Sequence, residues 1–245
     1  MKETLIVIVF GILFTGVLNA QTEQELKKVD FEIILKSGIL IDRGAGTNGL
    51  FNSYDTNYNV LNRGGNSNGI NFITTINFKP ISFFIGLEYG FVNFNQTLVI
   101  PSLKDVVLFD LNHQLHNYQV YSGVSKPIKI NTETKLIFSM GLGISNFIGK
   151  NRAYNFQSKY STSISTFNLE MNYNQQEDIN LLGTADICLE TKIKNQTFTF
   201  HLYSSVSGNR QTNIKVAFVD YEGSIMTKAT YFKPNIVGVG IGLKF

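Results

Sequence analysis

Three histidines and one cysteine are the side chains of this 245-residue chain best suited to nucleophilic, acid–base or metal chemistry. His113 and His116 stand three apart, a spacing that shares one face of a helix but divides between the two faces of a strand. His201 alternates with apolar residues and shares a strand face with Thr199, Tyr203 and Ser205. Cys188 has no His or acidic neighbour at metal-ligand spacing, so it reads as a small buried strand residue; being single, it forms no internal disulfide. The nearest approach to a catalytic set is His113 or His116 with an acid from a loop, and nucleophile, base and orienting group do not converge. No catalytic, cofactor-binding or metal-ligating residue is therefore expected, and no enzyme.

The charged residues carry a clearer pattern. They make up 16% of the chain, against a usual level of about 25%. Within the apolar segments Glu32, Lys36, Glu88, Lys135, Asp186, Glu190 and Lys244 all fall on the parity opposite the large hydrophobic residues. A soluble sandwich would put its charged face outward. Sparse, near-balanced charges opposite a branched and aromatic face instead predict a paired network inside a closed sheet whose outer face meets an apolar medium. The net charge of +3 gives no argument for nucleic acid as a partner.

The elements that must position these residues have a period of two. Alternation runs through Val29 to Ile41, Ile70 to Phe78, Ile81 to Phe91, Gln114 to Ser125, Leu136 to Ile144, Ile179 to Leu189, Phe198 to Val206 and Ile236 to Phe245. Short turns fall at Lys79-Pro80, at Lys129 to Glu133 and at Lys194 to Gln196. Long polar segments fall at Asp42 to Asn68, about Asn95 to Asn112, Lys150 to Gln176 and after residue 208. Strict alternation of short and long connections is what an up-and-down barrel in a membrane requires. The fold class expected is all-β, a transmembrane antiparallel up-and-down β-barrel of about eight strands. Ten is the alternative if Phe167, Leu169, Met171 and Tyr173 turn back through the bilayer, but Arg152 to Tyr160 is too polar to span. Ile214, Val216 and Phe218 read instead as a hairpin extension above the membrane. The prolines Pro80, Pro101, Pro127 and Pro234 are expected in turns, loops or strand edges. Tyr89, Tyr118 and Tyr121 are expected in an interfacial girdle.

The two ends agree with that reading. Met1 to Ala20 has Lys2, an apolar core from Leu5 to Leu18 and a small residue at Ala20, so residues 1–20 are expected to be a cleavable signal peptide and 21–245 the barrel domain. At the other end Val237, Val239, Ile241, Leu243 and Phe245 form one apolar line, while Gly238, Gly240, Gly242 and Lys244 form the other. The apolar line resembles the C-terminal assembly signal of bacterial outer-membrane β-barrels.

On these residues the chain resembles the small outer-membrane barrel domains of Gram-negative bacteria, of the OmpA/OmpX type. Its Asn-rich, Trp-free composition and the start Gln21-Thr22-Glu23 resemble the PorT-like group of Bacteroidota. The resemblance implies location in the cell outer membrane, with outer-membrane lipid, lipopolysaccharide and the barrel-insertion machinery as partners. It implies a non-catalytic barrel whose long loops contact a surface protein or support an envelope or secretion complex, without a cofactor. A narrow outer-membrane pore is the alternative. A lipid A-modifying enzyme is a weaker one, because barrels of that kind use a His and a Ser two residues apart, whereas His116 is followed by Tyr118 and His201 by Tyr203.

Overall fold

The computed structural model describes residues 29–41, 49–50, 57–78, 80–101, 106–149, 152–160, 163–173, 179–208, 210–218, 225–232 and 234–245. The expected signal peptide lies outside the described residues. The described residues form thirteen strands: β1 (Val29–Leu40), β2 (Gly49–Leu50), β3 (Asn57–Asn77), β4 (Ser82–Pro101), β5 (Val106–Lys129), β6 (Thr134–Gly149), β7 (Arg152–Tyr160), β8 (Ser163–Tyr173), β9 (Asn180–Ile193), β10 (Gln196–Ser207), β11 (Arg210–Phe218), β12 (Ile225–Phe232) and β13 (Ile236–Lys244).

Eight of them close on themselves. The order β1-β13-β10-β9-β6-β5-β4-β3 returns to its start through a β1–β3 ladder from Val29↔Ile76 to Leu40↔Gly65, all pairs antiparallel. Closure satisfies every barrel strand on both sides and leaves no open edge. The last residue takes part too: Phe245 N donates to Phe31 O at 2.8 Å and Phe31 N donates to Phe245 O at 3.2 Å.

Local chemistry fixes the short connections. In the β5–β6 turn the Asn131 side-chain oxygen accepts from Glu133 N at 2.8 Å and Thr134 N at 2.7 Å, an Asx turn that holds the reversal. The β9–β10 turn is the two-residue Lys194-Asn195, with Lys194 at φ 55°, a left-handed value that matches the twist of a tight hairpin.

The other connections are not plain loops. β4 and β5 stay paired as far as Pro101↔Val106, β3 begins at Asn57, and β7, β8, β11 and β12 make a separate sheet in the order β12-β11-β8-β7. The described parts of the segments expected to be long loops at 42–68, 95–112 and 150–176 are thus paired strand. They escape a hydrophobic period count because Asn, Gly, Ser and Thr stand on both parities in the first and last, and unbroken apolar runs such as Leu98-Val99-Ile100 on both parities in the second, yet ladder pairing needs only backbone groups. The hairpin extension built on Ile214 to Phe218 does form, as β11 with β12, and it pairs further with β8.

Two positions differ from expectation. Pro127 lies inside β5, opposite Ile137, rather than ending the strand; β4 begins opposite Ser125, so Pro127 has no neighbour on that side to supply. Tyr121 points into the barrel, not out to a girdle, because inward parity on β5 is odd and its hydroxyl accepts from Asn71 Nδ2.

The outward parity carries a continuous apolar belt. Each barrel strand contributes to it, with Leu35, Phe72, Phe83, Val124, Leu142, Leu181, Leu202 and Ile241 all exposed, Leu181 at 82% and Leu142 at 77%. Among the described residues no helix is long and apolar enough to cross a membrane.

Candidate functional site: a charged cavity below an apolar plug

The lumen is divided along its length. At the end where β6, β10 and β13 meet the long connections, Leu40, Val92, Phe94, Leu115, Phe147, Tyr203 and Ile236 pack into a buried cluster across the barrel. His113 lies flat on Phe94 in the same layer, ring centroids 4.4 Å apart and planes 4° from parallel. His116, three residues on, points outward and stacks against Tyr89, whose hydroxyl is 3.0 Å from His116 Nδ1. The two histidines are therefore on opposite faces and share no site.

Below the plug a cavity of about 210 Å³ runs toward the end that carries the short turns and Phe245. Lys36 closes its inner end. Nζ donates to Glu88 Oε2 at 2.7 Å and sits 4.3 Å from the centre of the Tyr203 ring, a buried ion pair capped by an aromatic face. At the mouth Lys244 Nζ lies 2.7 Å from Glu190 Oε2 and 3.0 Å from Asp30 Oδ2, while Lys135 Nζ donates to Glu190 Oε1 at 2.8 Å. Asn77 Nδ2 donates to Asp30 at 2.8 Å and anchors this lower cluster to β3.

Between the two lysine clusters stands His201. Its Nδ1 is 2.9 Å from Asp186 Oδ2 and its Nε2 2.9 Å from Glu32 Oε1. Each ring nitrogen therefore faces a carboxylate oxygen, and a protonated ring nitrogen donates to the oxygen it faces. Register explains the meeting. Cys188 and His201 are direct cross-strand partners on β9 and β10, and Asp186 lies opposite Tyr203 on the same inward face. Glu32 comes from β1, across the intervening β13, where the glycine line gives it passage. A Cβ on Gly242 would come within 2.9 Å of Glu32 Oε1 and closer still to Thr199 Oγ1, and one on Gly240 would meet Ile34 at 2.8 Å.

All seven charges expected in the lumen, Glu32, Lys36, Glu88, Lys135, Asp186, Glu190 and Lys244, stand on the inner wall, but not as a lysine–carboxylate network throughout. Glu32 and Asp186 are held by His201, which the parity count of Asp, Glu and Lys omitted; Asp30 was omitted as well. Cys188, expected to have no His or acid near it, lies with Glu32 and His201 in a cluster whose ligand atoms are all within 4.8 Å of one another. That expectation fails because the three residues come from β1, β9 and β10, and spacing along one chain says nothing about neighbours around a barrel. A signal was present: Cys188 and His201 share inward parity on adjacent strands joined by a two-residue turn, which fixes their register.

The residues of the terminal line take the opposite side. Val237, Val239, Ile241, Leu243 and Phe245 all face outward, with Val239, Ile241 and Phe245 exposed.

No protein-family model matches the chain. No curated protein matches it either. Among solved structures it is similar to the outer membrane protein OprG of Pseudomonas aeruginosa at 12% identity and a TM-score of 0.49, over 89% of this chain and 97% of that one. It is similar to a major outer membrane protein of Thermus thermophilus at 8% identity and a TM-score of 0.43, over 89% and 100%. The outer membrane protease OmpT of Escherichia coli follows at 10% identity and 0.44, over 92% and 99%. With likeness at that level, the architecture rests on the chain's own closed ladder.

Proposed function

We propose that the chain is an integral outer-membrane β-barrel without catalytic activity, whose lumen is blocked and whose work is done by its membrane-distal strands and connections. The observation that carries this is the pairing of an apolar belt around the whole circumference with a buried plug of Leu40, Val92, Phe94, Leu115, Phe147 and Ile236 inside. A contiguous exposed apolar surface of that extent is incompatible with free solution in water. In a bilayer the same belt is the solvated face. In this reading the short-turn end and Phe245 face the periplasm, and β7, β8, β11 and β12 offer the surface that meets a secretion or surface partner. Membership of a PorT-like group, insertion by the outer-membrane assembly machinery and contact with lipopolysaccharide belong to the same proposal.

Conductance across planar lipid bilayers tests it. A plugged barrel inserts without steady current steps. Reproducible, voltage-stable open-channel currents from the unmodified chain would replace it with the narrow-pore reading.

A further inference from the structure

The described residues that line the cavity include one set of donors that belongs together chemically but is not accounted for by packing. Cys188, Glu32 and His201 offer a thiol sulfur, a carboxylate oxygen and an imidazole nitrogen, all within 4.8 Å of one another and all on the cavity wall. Asp186 Oδ2 holds the opposite ring nitrogen of His201 at 2.9 Å. A ligating histidine characteristically gives its second nitrogen to a carboxylate, which fixes the tautomer and aims the first nitrogen at the ion.

We propose that Cys188, Glu32 and His201 Nε2 form a three-ligand site for a divalent transition metal of the zinc type, with Asp186 as the positioning residue. Mixed sulfur, nitrogen and oxygen donors suit such an ion and do not suit calcium or magnesium, which take oxygen donors. Zinc bonds of about 2.0 to 2.3 Å put tetrahedral ligands about 3.3 to 3.6 Å from one another, so the cluster adjusts by about an ångström at most. The fourth position is left to water from the cavity.

Charge favours the exchange. Among the described residues, Lys36 pairs with Glu88, and Lys135 and Lys244 pair with Glu190 and Asp30, while the ion pairs of Glu32 and Asp186 run to His201. A divalent ion entering here displaces the thiol proton of Cys188, and any proton on His201 Nε2, to cavity water, and its charge is met by the resulting thiolate and the Glu32 carboxylate. A further donor stands beside it. Thr199 Oγ1 is buried without a hydrogen-bond partner among the described residues, flanking with Glu32 Oε1 the place a Cβ on Gly242 would occupy.

The test uses the full mature chain folded in detergent, reduced and stripped of metal. After loading with Zn2+ and desalting, about one zinc per chain is retained. With Co2+ as probe, a thiolate-to-cobalt charge-transfer band appears, and it can come only from Cys188, the sole cysteine. Cys188→Ser removes the band, and Asp186→Asn weakens zinc binding about 10- to 100-fold while the folded form persists. A folded wild-type chain that retains no zinc overturns the proposal. So does cobalt binding without the thiolate band, a result that needs no variant to fold.

Discussion

Glu32 Oε1 lies 2.9 Å from Nε2 of His201, although 169 residues separate them and a whole strand, β13, runs between their own. The contact is made over a wall stripped to glycine, so the residues without side chains on β13 are as much a part of the lumen as the residues that meet.

That dependence predicts the effect of a single methyl group. Gly242→Ala drives a Cβ against Glu32 and Thr199, and overpacking at such a site costs about 1–3 kcal/mol. Gly183 has nothing within 4 Å of its Cβ position, and Gly183→Ala is expected to change stability by less than about 0.5 kcal/mol. Urea unfolding in lipid vesicles, followed by near-UV circular dichroism or by gel shift, compares the two.

The buried pair Lys36–Glu88 predicts non-additivity. Both side chains are under a tenth exposed, at 9% and 6%. Lys36→Met or Glu88→Gln alone leaves one charge without its partner and is expected to destabilise by about 3–5 kcal/mol, whereas the double variant loses less than the sum. A double-mutant cycle on unfolding free energies reads the coupling.

The outer belt predicts an intolerance of charge. Leu142→Arg places a cation on the belt near the middle of β6, at an expected cost of about 2–4 kcal/mol. Ser139→Lys on the inward parity of the same strand faces the polar cavity and is expected to cost less. The fraction of chain reaching the folded form in vesicles, measured side by side, ranks them.

The plug predicts a gain of conductance. Phe94→Ala with Phe147→Ala removes two rings from the buried cluster, and each truncation costs about 3–5 kcal/mol of packing. Single-channel recordings on the double variant are expected to show transient openings that the wild type lacks.

How much of this was legible in the sequence depends on which faces the residues share. Strand parity at Glu88, Lys135 and Glu190 assigned inward and outward sides, because apolar alternation and scarce charge act on each strand separately. The outer reaches of β4 and β5, beyond about Asn95, were hidden because runs such as Leu98-Val99-Ile100 and Val106-Val107-Leu108-Phe109 put apolar residues on both parities and erase the alternation that marks a strand. Tyr121 was misplaced because an aromatic near a strand end suits either a girdle or a lumen, and only the register against Asn71 decides it. The Glu32, Cys188 and His201 cluster was hidden for a third reason: proximity around a barrel depends on which strands are neighbours, and closure of β1 on β3 and β13 is a global property of the chain.

The measurement that bears most directly on the membrane-barrel reading is gel migration of residues 21–245 folded in detergent, before and after boiling, beside the circular dichroism. A compact, SDS-resistant, β-rich form that converts to a slower band on boiling is the predicted result. A chain that folds in water without detergent and shows no such shift would contradict it, and the outward line from Val237 to Phe245 would then have to be buried against another protein surface instead of lipid.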